Sequence, residues 1–288
     1  MALWQTIAQQ ITAASGEVFQ PTGQQPVGGG CINESWLLED GQRRYFIKLN
    51  SPDGLAMFEA ERDGLQELAA AEAIRVPLPL VCGVDGGRAW LALEALELGG
   101  RGDPAQLGRQ LAALHRRQSE RFGWHRDNTI GSTPQYNSQH HDWVAFYRQQ
   151  RLRPQLALAG DPALSEAGER LCEALPSLFS DYRPQPSLLH GDLWSGNYSY
   201  TRAGEPVLFD PAVYYGDREA DLAMTELFGG FAGAFYDAYQ EAWPTDPGYR
   251  ARKTLYNLYH VLNHYNLFGG GYRRQAEGMI RRLLSEIR

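Results

Sequence analysis

Hydrophobic spacing changes character near residue 98, and that change restricts the folds open to this chain. Before it, apolar residues run in short extended stretches. CINESWLLED (31–40) and RRYFIKLN (43–50) are rich in β-branched and aromatic residues, and Asp40-Gly41 between them favours a tight hairpin turn. FEAERDGLQELAAAEA (58–73) instead sets Phe58, Leu65, Leu68 and Ala69 on one face at helical period, after the breakers Pro52 and Gly54. LPLVCGVDGGRAWLALEAL (78–96) reads as two more strands around Asp85-Gly86-Gly87. Beyond it, helical period dominates residues 104–118, 142–157, 163–180 and 219–241 and two segments after Pro247. The exception is 187–210, whose short apolar runs predict a strand pair among helices. The expectation is an α+β chain with a strand-rich lobe over 1–98 and a mainly helical lobe over 99–288. The opening MALWQTIAQQITAASG is expected to be an amphipathic surface helix.

Charge and composition exclude several function classes. A net charge of −7 and a pI near 5.5 argue against a surface built for nucleic acid. No stretch approaches the roughly 18 apolar residues of a membrane span. The cysteines, Cys31, Cys82 and Cys172, are odd in number and far apart, a pattern that fits a reducing cytoplasm without structural disulfides. Neither nucleic acid nor a membrane is expected as a partner, and the expected assembly is a monomer, with a redox-linked dimer through Cys31 as an alternative.

Chemistry concentrates in LLHGDLWSGN (188–197) and the VLFDPA that follows. Asp192 and Asn197 are separated by four residues, and Asp210 ends the next apolar run. Taken alone, HGD and DPA read equally well as turns. Together, two acids and an amide at strand ends supply oxygen ligands that suit Mg²⁺, and their spacing matches D-x-x-x-x-N followed by a metal aspartate, the arrangement of phosphoryl transfer from ATP. On this reading Asp192 accepts the hydroxyl proton, and Asn197 and Asp210 are the metal ligands.

The remaining parts of a nucleotide site lie upstream. Lys48 interrupts the apolar strand FIKLN, and a buried lysine needs a counter-charge. Glu61 on the next helix is the first candidate and Glu59 the second. Gly28, Gly29 and Gly30, with Cys31 directly after them, form a turn whose amides can approach phosphates. No G-x-x-x-x-G-K-[ST] occurs, which excludes an ordinary P-loop. Leu93, Glu94, Ala95 and Leu96 close the strand-rich third, where the Glu94 carbonyl and Leu96 amide are expected to meet the adenine edge.

GGGCIN and LLHGDLWSGN, together with FGWHRDNTIGSTPQYN, DWVAFYRQQRL and FDPAVYYGDREADLAM, resemble the fructosamine kinase family, relatives of aminoglycoside and choline phosphotransferases. The resemblance covers nearly the whole chain. It implies a protein-kinase-like bilobal fold, ATP with Mg²⁺, and phosphorylation of a sugar hydroxyl, with Asp192 as base and Asn197 and Asp210 on the metal. Gly191 stands where kinases of proteins have arginine, and no A-P-E follows Asp210, so a small-molecule kinase without a phospho-switch is implied. Trp194 and Asp217 are expected on the acceptor side, the indole on the sugar and the acid on the amine. Asn128, Thr129, Ser132, Thr133, Gln135, Tyr136 and Asn137 are expected to line the same side with amides and hydroxyls. A ketosamine 3-kinase is the leading reading. The alternatives are an aminoglycoside, choline or methylthioribose kinase of the same fold, and a silent nucleotide-binding protein.

Overall fold

A computed structural model of the chain describes residues 2–28 and 32–287. Gly29, Gly30 and Cys31 lie outside the described residues. The chain divides into two compact units, one running to Gly102 and including Ser199–Asp210, the other comprising Asp103–Tyr198 and the chain from Pro211.

The first unit contains α1 (Ala2–Ser15), β1 (Gly23–Val27), β2 (Glu34–Glu39), β3 (Arg44–Asn50), α2 (Leu55–Ala70), β4 (Pro79–Asp85) and β5 (Arg88–Glu94). The strands form an antiparallel sheet in the order β1-β2-β3-β5-β4. The β2–β3 and β4–β5 hairpins fall where turn chemistry put them. β1, a polar edge strand of sequence GQQPV, carries no alternating apolar signal and was not expected. Period two along β3 sends Ile47 and Leu49 into a core with Leu38, Trp90, Ala92 and, from α1, Ile7 and Ile11. Phe58, Leu65 and Leu68 of α2 are buried as well. α2 begins after a short 3-10 turn over Pro52–Gly54.

The second unit continues with α3 (Pro104–His115), β6 (Asn128–Ile130), β7 (Thr133–Gln135), α4 (Trp143–Tyr147), α5 (Arg153–Ala159), α6 (Pro162–Ala174) and β8 (Ser187–Leu189). The chain then returns to the first unit for β9 (Tyr198–Tyr200) and β10 (Pro206–Leu208), which pair with each other, and the second unit resumes with β11 (Tyr214–Gly216), α7 (Glu219–Leu227), α8 (Gly233–Ala242), α9 (Tyr249–Phe268) and α10 (Tyr272–Glu286). β8 pairs with β11 rather than with β9, so the expected single strand pair is two. Aspartates cap the helices: Asp103 accepts from Ala105 N at 2.9 Å, and Asp161 from Ala163 N and Leu164 N at 3.0 Å, each followed by proline in the first turn.

Two helices expected to be continuous are interrupted. Between α4 and α5, Arg148–Leu152 forms a π-turn before Pro154, which has no N–H to continue the ladder. Between α7 and α8 the chain breaks at 228–232, where Gly229-Gly230 disfavours helix. α9 is buried along most of its length, with Leu255, Tyr256, Leu258, Tyr259, Val261 and Leu262 in the core. Among the described residues no helix is long and apolar enough to cross a membrane.

Candidate active site

Because Ile47 and Leu49 face the core under α1, Lys48 points to the other face of the sheet, where α2 lies. It is 5% exposed, and its Nζ donates to Glu61 Oε1 at 2.5 Å and to Asp210 Oδ1. Burial opposes the ammonium charge, but the carboxylates of Asp210 and Glu61 outweigh it and raise its pKa, so Lys48 remains a cation. Burial pushes the Glu61 carboxyl up, with Lys48 pulling the other way. β10 delivers Asp210: Leu208 N donates to Arg75 O at 2.9 Å, and Val207 bridges the same residue. Asp210 sits at φ 56°, left-handed backbone that aspartate tolerates better than most side chains, and its carboxylate is half exposed.

Leu93 and Glu94 end β5, and Ala95 and Leu96 continue past the ladder. The Glu94 side chain pairs with Arg75 and accepts from Leu78 N at 3.2 Å, which fixes the strand exit. Gly28 is exposed, with open space where a Cβ would stand.

In the second unit, β8 runs directly into His190-Gly191-Asp192. Gly191 adopts φ 84°, and a Cβ there would lie 2.0 Å from Ala212 O. Ala212 N donates to His190 O at 2.8 Å, so the two backbones are tied together. Asn197 is buried, and its Nδ2 donates to Asp192 O at 2.8 Å and Asp192 Oδ2 at 3.1 Å. The amide thus orients the carboxylate expected to act as base. Trp194 is 38% exposed in the same loop.

What holds this loop was not read from the sequence. Asp221, fully buried on α7, accepts from His190 N at 2.7 Å and from Gly191 N at 2.9 Å. Its Oδ2 also faces His115 Nε2 at 3.2 Å, His115 Nδ1 lies 2.8 Å from the Tyr239 hydroxyl, and Arg218 Nη1 donates to that hydroxyl at 3.1 Å. Burial pushes the Asp221 carboxyl up, but the His115 contact and the His190 and Gly191 surroundings prevail and hold it below the ordinary range. In the sequence Asp221 reads only as an acid near a helix start, favoured by the dipole. Its partner His115 is 106 residues away, so no local signal marks it.

Asp217 lies inside the second unit. It is 0% exposed; Tyr182 Oη donates to it at 2.9 Å, Tyr256 Oη at 2.5 Å and Glu219 N at 3.0 Å. Burial raises its pKa. Beside it, Arg252 grips Glu219 with Nε at 2.7 Å and Nη2 at 3.0 Å. The amides expected to face the acceptor are likewise turned inward. Gln135 Nε2 donates to Ala212 O at 3.0 Å and Asn128 Nδ2 to Val213 O at 2.8 Å, while Tyr259 Oη donates to Gln135 Oε1 at 2.8 Å. Thr133, Gln135 and Asn137 are buried. This network ties the loop 128–137 to the segment after Asp210.

The donor chemistry fits Mg²⁺. Among the described residues no cluster of three or more His, Cys, Asp or Glu forms a closed metal cage. Asp210 offers a carboxylate in the first unit and Asn197 an amide oxygen in the second, both of the hard oxygen-donor type that Mg²⁺ takes.

Comparison with known proteins identifies the family. A Synechocystis protein named "Probable ketoamine kinase" is 50% identical over 98% of this chain and 97% of its own length. A rice chloroplastic protein-ribulosamine 3-kinase is 44% identical over 97% of this chain and 84% of its own length. A crystal structure from Haemophilus somnus aligns with TM-score 0.89 at 30% identity, covering 98% of this chain and 97% of that one. At 16% identity an aminoglycoside phosphotransferase bound to ADP and hygromycin B aligns with TM-score 0.61, covering 96% of this chain and 98% of that one, so the fold is protein-kinase-like. The fructosamine kinase profile matches residues 3–286, and the chain belongs to the fructosamine kinase family.

Proposed function

We propose that this protein is an ATP-dependent kinase that phosphorylates the 3-hydroxyl of a ketosamine, a ribulosamine or fructosamine, and so initiates deglycation. The observation that carries the reading is 44% identity to a protein-ribulosamine 3-kinase along 97% of the chain, joined to a loop in which Asn197 orients Asp192.

In the proposed reaction the acceptor O3 attacks the γ-phosphorus of ATP. An O3–P bond forms, the bond from phosphorus to the β,γ-bridging oxygen breaks, ADP leaves, and the O3 proton passes to Asp192. Asn197 holds the Asp192 carboxylate, and Asp221 holds the backbone beneath it, so little reorganisation is needed at the moment of transfer. Lys48, fixed by Glu61, supplies a positive charge for the phosphates, and residues 28–31 supply backbone amides. Leu93 to Leu96 provide the backbone edge for adenine. Asn197 and Asp210 would hold Mg²⁺, which when bound neutralises charge developing on the triphosphate. Small and free-amine conjugates are accepted, because the reacting O3 and the C1 amine near it are common to all of them. The described cysteines, Cys82 and Cys172, are free thiols, which suits a cytoplasmic setting.

The test is to incubate the protein with ATP and Mg²⁺ and, in parallel, ribuloselysine, fructoselysine, kanamycin and choline, and to read products by mass spectrometry and phosphorus NMR. Phosphate on O3 of a ketosamine is expected. Phosphate on kanamycin or choline and on neither ketosamine overturns the reading.

A further inference from the structure

With Asp217 sealed among tyrosines, the amine of the acceptor lacks the carboxylate expected for it. In a ketosamine the protonated nitrogen sits on C1, two carbons from the C3 whose hydroxyl reacts, so the group that receives it must stand close to Asp192. What the second unit offers beside Asp192 is aromatic. The Trp194 indole lies across Gly196, where a Cβ would come within 2.3 Å of the ring. It meets the Phe228 ring nearly edge-on, at 6.3 Å and 79°. Phe228 lies 4.7 Å from His264, and His264 lies 5.6 Å from Phe268 and 5.2 Å from Tyr272. The rings come from the catalytic loop, the end of α7, the last turns of α9 and the start of α10. Phe268, at the outer end, is 63% exposed.

His264 completes the chemistry. Its Nδ1 donates to His260 O at 2.8 Å, which leaves Nε2 as the ring's hydrogen-bond acceptor. Burial lowers the His264 pKa, so the ring stays neutral beside an incoming cation.

We propose that Trp194, Phe228 and His264 receive the protonated amine of the ketosamine, and that Phe268 and Tyr272 extend this surface under the carbon substituent on that amine. The ammonium is attracted to the ring faces and donates an N–H to His264 Nε2, while an apolar or aromatic substituent covers the exposed Phe268. The enzyme therefore selects its acceptors by positive charge and by an apolar amine substituent, without a carboxylate. The proposal rests on the ketosamine reading above.

The test compares three acceptors: the N-benzyl and N-methyl ketosamines of fructose, and the benzyl ether that replaces the nitrogen with oxygen. Wild-type protein should prefer the benzyl amine to the ether by about tenfold or more in kcat/KM, carried by KM. His264→Ala and Phe228→Leu should each remove most of that preference. Phe268→Ala, at an exposed position that folding tolerates, should cut the benzyl-over-methyl preference by about threefold to fivefold. Leu158→Ala, on the exposed face of α5, should alter neither ratio. If both ratios stay at wild-type values in the folded His264→Ala and Phe268→Ala proteins, the subsite is overturned while the ketosamine function stands. A wild-type protein that phosphorylates none of the amines overturns the function and the subsite together.

Discussion

Lys48 and Glu61 are thirteen residues apart in sequence and 2.5 Å apart in space, with side chains 7% and 9% exposed between β3 and α2. Removing one partner of such a pair strands the other charge in the interior, at a cost of about 3–5 kcal/mol. Lys48→Met should therefore lower the melting temperature by several degrees and ATP turnover by at least about a hundredfold. Adding Glu61→Gln should recover part of the stability and none of the turnover. Melting curves of the two single variants and the double form the cycle that checks this, and strictly additive losses would show that the two residues do not act as a pair.

Asp192→Asn should preserve the loop, because the new amide oxygen still accepts from Asn197 Nδ2, as Asp192 Oδ2 does at 3.1 Å. ATP affinity by calorimetry should stay within about threefold, while turnover falls by at least about a hundredfold for a lost general base. Near-normal turnover would remove Asp192 from the mechanism.

Asp217→Asn tests the reassignment of that residue. Its carboxylate accepts from Tyr182, Tyr256 and Glu219 N, and an asparagine cannot accept all three, leaving a buried donor unmet at about 1–3 kcal/mol. The melting temperature should drop by about 2–4 °C per kcal/mol, with the acceptor KM within about twofold of wild type. An intact melting temperature with a tenfold higher acceptor KM would return Asp217 to the substrate.

Glu219 sets a pH dependence. Burial, with the charge of Asp217 adding to it, pushes its carboxyl from 4.5 up to about 7 in spite of Arg252. The folded state thus binds more protons than the unfolded state between these values, so this group favours folding most at low pH and its contribution declines as pH rises through about 7. Urea midpoints measured from about pH 4.5 to about pH 8 should show that decline, and Glu219→Gln should flatten it. A slope that persists in the variant belongs to another group.

Lys48 was legible because a cation in a strand of alternating apolar residues has few places to go, and the period of two alone chooses its face. The tie between Asp192 and Asn197 was legible because the two are separated by four residues of one segment, across which the amide bonds the carboxylate. Asp217 and Asp221 were not. Both sit at a helix start, where the local rule gives a solvated acid favoured by the dipole, and what buries them comes from Tyr256, 39 residues away, and His115, 106 away. The inward bonds of Asn128, Gln135 and Asn137 were not legible for a related reason: hydroxyl- and amide-rich loops look alike whether they face a sugar or clamp a neighbouring segment. β1 escaped notice because an edge strand exposed on most of its residues has no reason to alternate.

The approach of Gly191 to Ala212 has a consequence for what this enzyme can become. Kinases switched by phosphorylation order their activation loops through new arginine–phosphate pairs, and the H-R-D motif places an arginine just before the base. Here that position has a left-handed backbone, and the first carbon of any side chain would lie 2.0 Å from a carbonyl oxygen. No single-codon change can install the arginine without displacing the strand that follows Asp210. Descendants of this chain therefore reach an arginine before Asp192 only by rebuilding the segment at Ala212 along with it.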